Sequence, residues 1–207
     1  MKISDETKVL LSILGVTVLA VVGAVFIFSR PAPQYTLNEL ISETTPLTGK
    51  MDAPVVLVEF SDFQCPACKA FQPILNDIMK TYGSQVALAY RHYPLAQHPY
   101  ARNAAIAAEA AKIQGKFWEM HDALFTNQDT LSDETVQTIV KDLKLDEASF
   151  SAALVNPAIQ ETIQNDIVLG DKLKIKATPT FFLNGHELTL GSYESLKTAV
   201  ETALKSK

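Results

Sequence analysis

A chain of 207 residues with a formal net charge of −5, from 18 Lys and Arg against 23 Asp and Glu, allows one sizeable domain plus a short appended segment. Lys2 and Lys8 balance Asp5 and Glu6, so the negative excess belongs to the rest of the chain, where no basic run or stripe appears. That pattern excludes nucleic acid and anionic lipid headgroups as expected partners and reads as a solubilising surface.

Val9 to Phe28 is an uncharged run broken only by Ser12, Gly15, Thr17 and Gly23. At about 1.5 Å per residue it reaches roughly 30 Å, the thickness of a bilayer core. A cleaved signal peptide is the competing reading, but its apolar region is shorter and ends in small residues. This run ends in Phe26-Ile27-Phe28-Ser29-Arg30-Pro31, a poor cleavage site, which favours an uncleaved anchor contacting lipid through residues 9–28. Lys2 and Lys8 precede the run, and only Arg30 follows it before Lys50, so the N-terminus is expected in the cytoplasm and the domain outside.

Pro31 and Pro33 suggest a stiff spacer, and Thr36-Leu37-Asn38-Glu39 is a capping-box pattern opening a short helix. Residues 46–54 read as turns. A strand is expected at 54–60, a helix at 66–81 closed by Gly83, and a strand at 86–93 stopped by Pro94. Helices follow at 100–114 (closed by Gly115), 116–126, 133–143 (capped by Ser132), 147–155 (capped by Asp146) and about 158–173, with Pro157 in the first turn. Strands return at 179–183 and 186–190 around Asn184-Gly185, a two-residue hairpin signal, and Ser192 is expected to cap a final helix ending near Lys205.

The two cysteines stand as Cys65-Pro66-Ala67-Cys68 where a strand gives way to a helix. Pro66 suits the first helical position, and the free N–H groups and positive end of the helix dipole favour a thiolate at Cys65. Cys68, one turn on, is placed to close a disulfide with it. Half a zinc site is the alternative, yet His92, His98, His121 and His186 have no ligand spacing among them, so no metal is expected. A structural disulfide closing so small a loop adds little stability. Glu59 lies among Val, Leu and Phe in the strand before the cysteines; buried, it becomes a protonatable group beside Cys68, whereas at a sheet edge it is merely solvated.

The order β-α-β, helical block, β-β-α describes a thioredoxin-like α/β fold with a helical insertion, preceded by one N-terminal transmembrane helix. With Ala53 to Phe71, Tyr90 to Ala111, Gly115 to Asp122 and Ala177 to Gly185, the chain resembles the DsbA-type branch of the thioredoxin superfamily in its membrane-anchored form. The division that follows is a cytoplasmic tail (1–8), a transmembrane anchor (9–28), a linker with a short helix (29–46) and a DsbA-like domain (47–207) with its insertion at about 99–173. The resemblance implies that Glu59 relays the Cys68 proton and that Pro179 is cis beside the cysteines. It also implies that Thr178 offers its backbone to an extended substrate. Pro73 matches a helix proline of the superfamily. The strongest oxidases of the family carry His between the cysteines; Ala67 stands there here, so their oxidising strength is not expected.

His92 and His98 are read as surface or capping residues near the site. Phe117, Trp118, Met120 and Phe125 have helical spacing and are read as core of the insertion. Phe63, Phe71 and Tyr93 fit either an apolar rim for unfolded chains or core packing. The expected activity is protein thiol–disulfide exchange without a cofactor, introducing disulfides into cysteine-containing exported proteins. Recharging falls to a membrane or extracytoplasmic redox partner. The alternatives are a reductase or isomerase of the same fold and a non-catalytic anchored binding module.

Overall fold

The computed structural model describes residues 5–28 and 33–206; residues 1–4 of the expected tail and 29–32 of the expected linker lie outside the described residues. The chain divides near residue 33 into two units. The first is a helix, α1 (Asp5–Phe28), covering the segment expected to span the membrane. Its described side chains, Leu11 and residues 13–23, are exposed apart from the half-buried Gly23. Among the described residues, no helix is long and apolar enough to cross a membrane.

The second unit is built on a five-stranded sheet of order β1-β3-β2-β4-β5. Its strands are β1 (Leu47–Thr48), β2 (Val55–Ser61), β3 (Val86–His92), β4 (Thr180–Leu183) and β5 (His186–Glu187). β2 and β3 run parallel, with Glu59 opposite Tyr90, and every residue of both strands is buried. A strand covered on both faces reads as a continuous apolar run, which is why this pair was legible from sequence. The helices are α2 (Leu37–Leu40), α3 (Pro66–Tyr82), α4 (Ala101–Lys112), α5 (Phe117–Thr126), α6 (Asp133–Asp142), α7 (Glu147–Leu154), α8 (Pro157–Lys172) and α9 (Glu194–Lys205). Pro73 lies inside α3.

Side chains alternate across β2. Val55 and Leu57 pack with Phe71, Leu75 and Ile78 of α3 and Leu196 and Val200 of α9, whereas Val56, Val58 and Phe60 pack with Leu40, Leu173 and Ile175. A third core fills the insertion around Phe117, Met120, Leu124 and Phe150 and reaches Phe63, Cys65, Cys68 and Tyr90. Ser132, Asp146 and Asn156 cap α6, α7 and α8 by accepting from Thr135, Ser149 and Ala158 N–H groups.

Four local expectations need correction. Residues 46–54 contain an edge strand, β1, paired antiparallel to β3 and too short to show a periodic pattern. The last strand stops at Glu187 instead of residue 190, because both β5 residues are exposed at an edge with little apolar surface to bury. Ser192 does not cap α9; Tyr193 precedes the helix with helical backbone, and the Ser195 hydroxyl accepts from the Ser192 N–H at 3.2 Å. His92 is not a surface residue: it is 1 % exposed, with Nε2 3.1 Å from Glu109, because its strand is covered by the insertion. At the hairpin, Asn184 and Gly185 both have positive φ, and the Tyr35 N–H donates to the Gly185 carbonyl at 2.9 Å. A Cβ at 185 would strike the Tyr35 carbonyl, so glycine serves both the turn and the close approach.

Candidate functional site

The loop from Ser61 to Cys65 carries the chain from the end of β2 into α3. Cys65 occupies the N-cap position with extended backbone, and Pro66 opens the helix, so the loop presents Cys65 to the unpaired N–H groups of the first turn. Both cysteines are free thiols and buried, Cys68 completely. The Cys65 thiol is held down to about 5, first by a hydrogen bond from Cys68 and further by the Thr178 hydroxyl and the Ala67 and Cys68 N–H groups, against an opposing effect of burial. Burial and the bond to Cys65 push the Cys68 thiol far up. One sulfur is thus suited to attack and departure while its neighbour keeps its proton.

Thr178 and Pro179 reach the cysteines from the other half of the domain. The Thr178–Pro179 peptide bond is cis. The Cys65 thiol donates to the Thr178 carbonyl oxygen at 3.2 Å. Beside them an open pocket is lined by Ala67, Phe71, Leu190, Gly191, Ser192 and Tyr193.

Glu59 is fully buried on the sheet face that α3 covers, so the sheet-edge reading does not apply. The Ser61 hydroxyl donates to its Oε1 at 2.7 Å, and Oε2 has no partner. Burial pushes its carboxyl up to about 8, moderated by the Ser61 bond and reinforced by negative charge at Cys65. A carboxyl with that value exchanges protons readily near neutral pH.

Two residues that hold the cysteine loop escaped the sequence reading. Asp62, 2 % exposed, accepts from the Gln64 N–H at 2.7 Å and the Leu95 N–H at 2.8 Å, and its Oδ2 lies 2.7 Å from Nδ1 of His98. His98 therefore belongs to the loop's support. Gln128, on a single 3-10 turn at Gln128–Thr130, sends its amide to the carbonyls of Phe63 at 2.8 Å and Cys65 at 3.0 Å. An Asp three residues before the first cysteine was a readable signal; nothing near Gln128 in sequence points to a partner 63 positions away. Phe63 and Phe71 are buried in the core, and Tyr93 is half-buried with its hydroxyl 2.8 Å from Asp171, so they form no exposed rim. Among the described residues, no group of His, Cys, Asp and Glu side chains is arranged to hold a metal ion.

Residues 41–202 match the family model described as Thioredoxin. The Na+/H+ antiporter NhaA 3 of Salinispora tropica is 40% identical over 161 residues, covering 76% of this chain and 24% of that protein. The chain thus spans about a quarter of the length of the curated relatives it matches. Among solved structures, oxidised BdbD of Bacillus subtilis superposes with a TM-score of 0.72 at 26% identity, over 85% of this chain and 100% of that one. A thioredoxin-like oxidoreductase of Silicibacter pomeroyi gives 0.71 at 26% identity, over 83% and 99%. The thiol-disulfide exchange protein α-DsbA2 of Wolbachia pipientis, at 23% identity, shares the fold with a TM-score of 0.70 over 80% and 90%. The chain belongs to the thioredoxin family, and its fold is of the DsbA type, with a helical insertion in the thioredoxin framework.

Proposed function

We propose that this protein is a thiol–disulfide oxidoreductase that oxidises cysteine pairs in exported proteins through Cys65 and Cys68. The carrying observation is the asymmetry of the pair: Cys65 held low at a helix start against Thr178, and Cys68 held high beside a buried Glu59. A stabilised thiolate favours the reduced form of the enzyme, so its disulfide is oxidising. A substrate thiolate attacks the Cys65 sulfur, Cys68 departs, and Glu59 supplies its proton. The substrate's second thiolate then attacks the mixed disulfide and releases reduced enzyme, which a separate redox partner reoxidises. The Thr178 carbonyl and the pocket beside Ala67 and Tyr193 suit an extended segment pairing as an added strand.

The site is assigned to the extracytoplasmic side of a membrane, with residues 9–28 as a single anchor and the N-terminus in the cytoplasm. Support comes from the uncharged run Val9 to Phe28, which falls within a 24-residue helix, and from the instability of such disulfides in the cytosol. A matching domain within proteins named as antiporters fits work at a membrane surface.

The test combines trapping with a potential. Cys68→Ser should accumulate mixed disulfides through Cys65 with exported proteins, and the Cys65–Cys68 couple should lie above thioredoxin's roughly −270 mV. A potential at or below that value, with the pair reduced in cells, would defeat the oxidase assignment. A Cys65 that traps nothing would reduce the protein to a binding module.

A further inference from the structure

Glu59 has no route of its own to water: it is 0 % exposed, as is Cys68. Yet the proposed exchange, on which this inference rests, moves a proton at Cys68 twice per cycle. In reoxidation the Cys68 S–H bond breaks and its proton forms an O–H bond on Glu59. The Cys68 sulfur then bonds to Cys65, and the partner's sulfur leaves with the electron pair of the broken mixed disulfide. In substrate oxidation Cys68 leaves as a thiolate and takes a proton back.

Four buried polar atoms on Tyr90 and on the residues that pair with or touch it lack partners: Glu59 Oε2, the Tyr90 hydroxyl, His92 Nδ1 and His121 Nε2. Buried polar atoms are rarely left unpaired, and several together mark a site for a bridging water or a function. Tyr90 sits directly opposite Glu59 in the β2–β3 register. Its ring lies 5.0 Å from that of His121, the planes at 88°. His121 Nδ1 lies 2.8 Å from Asp122 Oδ1. A carboxylate accepts only, so Nδ1 carries the hydrogen and Nε2 of the neutral ring is a bare acceptor. Burial, opposed by Asp122, keeps that ring neutral. The free donor of Tyr90 and the free acceptor of His121 are thus in touching rings, and Asp122 is 61 % exposed.

We propose that Tyr90 and His121 form a buried proton path between Glu59 and solvent at Asp122. As Glu59 gives its proton to the Tyr90 oxygen, directly or through one bridging water, Tyr90 passes its own to His121 Nε2. The Nδ1 hydrogen goes to Asp122 and then to water. Tyrosine and imidazole end neutral, with the imidazole in its other tautomer; the inward proton of the next half-reaction restores the first. His92 is the rival exit, its ring 5.2 Å from Tyr90 and its Nδ1 likewise unpartnered, but its Nε2 meets Glu109, which is itself only 4 % exposed and ion-paired with Lys112. The groups acting on Tyr90 are Glu59 and Asp62 from the β2 end, Cys68 from α3, His92 from β3 and His121 from α5. Glu109 of α4 stands behind His92.

The experiment uses the full-length reduced protein and glutathione disulfide as probe. It follows release of glutathione from the Cys65 mixed disulfide, the step in which Cys68 attacks, from pH 5 to 9. Tyr90→Phe and the exposed Asp122→Ala should each slow this step by roughly tenfold or more near pH 7 and change its pH profile. Cys65 thiolate absorbance should titrate as in the parent protein. Parental rates and profiles in both variants would overturn the path, as would slowing in Tyr90→Phe and His92→Asn with none in Asp122→Ala. A parent protein that forms no glutathione adduct at Cys65 would instead sink the exchange reading itself.

Discussion

The Cys65 thiol lies 3.2 Å from the carbonyl oxygen of Thr178, a contact between positions 113 apart. It sets the sulfur against a carbonyl to which a thiol donates and a thiolate does not. The Thr178 hydroxyl, buried and without a hydrogen-bond partner, favours the ionised sulfur instead.

The Cys65 titration should respond to its supports in order. Cys68→Ala removes the largest stabilising contact and should move the midpoint from about 5 well toward the ordinary thiol value; Thr178→Val removes a smaller one and should move it less. Thiolate absorbance against pH reads both. A larger effect from Thr178→Val would reverse the assignment of causes.

Glu59→Gln should separate stability from turnover. In the folded protein Glu59 keeps its proton to about 8, whereas unfolded it ionises near 4.5. Between those values the unfolded state binds fewer protons, so rising pH erodes stability through this group. Gln removes that loss and can still accept from Ser61. The variant should gain on the order of a few kcal/mol near pH 8 and nothing below about 4.5. Release of the Cys65 mixed disulfide should slow at the same time. Denaturant unfolding at pH 4 and 8, beside single-turnover kinetics, checks the pair of effects.

Gln128→Ala leaves the buried Phe63 carbonyl without its side-chain donor and takes one from Cys65. A cost of about 1–3 kcal/mol is expected. Since the lost contact lies at the cysteine loop, the Cys65 alkylation rate should change as well. Unaltered stability would show that Gln128 does not hold the loop.

Ala67→His places an imidazole between the cysteines at the start of α3. A cationic group there stabilises the Cys65 thiolate, so the potential should rise as the Cys65 value falls, one electrostatic interaction governing both. Equilibration against glutathione reads the first and thiolate absorbance the second. Movement of only one of them would refute the common cause.

Local chemistry determined much of this protein directly from sequence. The all-apolar run of β2, the Ser132 and Asp146 caps and the Asn184-Gly185 turn are decided by neighbours a few residues away. So is the placement of Cys65 ahead of Pro66 at a helix start. What only the tertiary structure decided depends on chain segments far apart. The two-residue strand β1 exists because β3 offers it an edge. Asp62 and Gln128 gain meaning only when the 93–98 loop and the insertion close over the cysteines. Glu59, Tyr90 and His121 come from β2, β3 and α5, and no periodicity in one segment reports that Tyr90 pairs in register with Glu59 and lays its ring against that of His121. Burial raises the Glu59 carboxyl and the Tyr90 phenol and lowers the His121 imidazole, and burial is a property of the assembled fold.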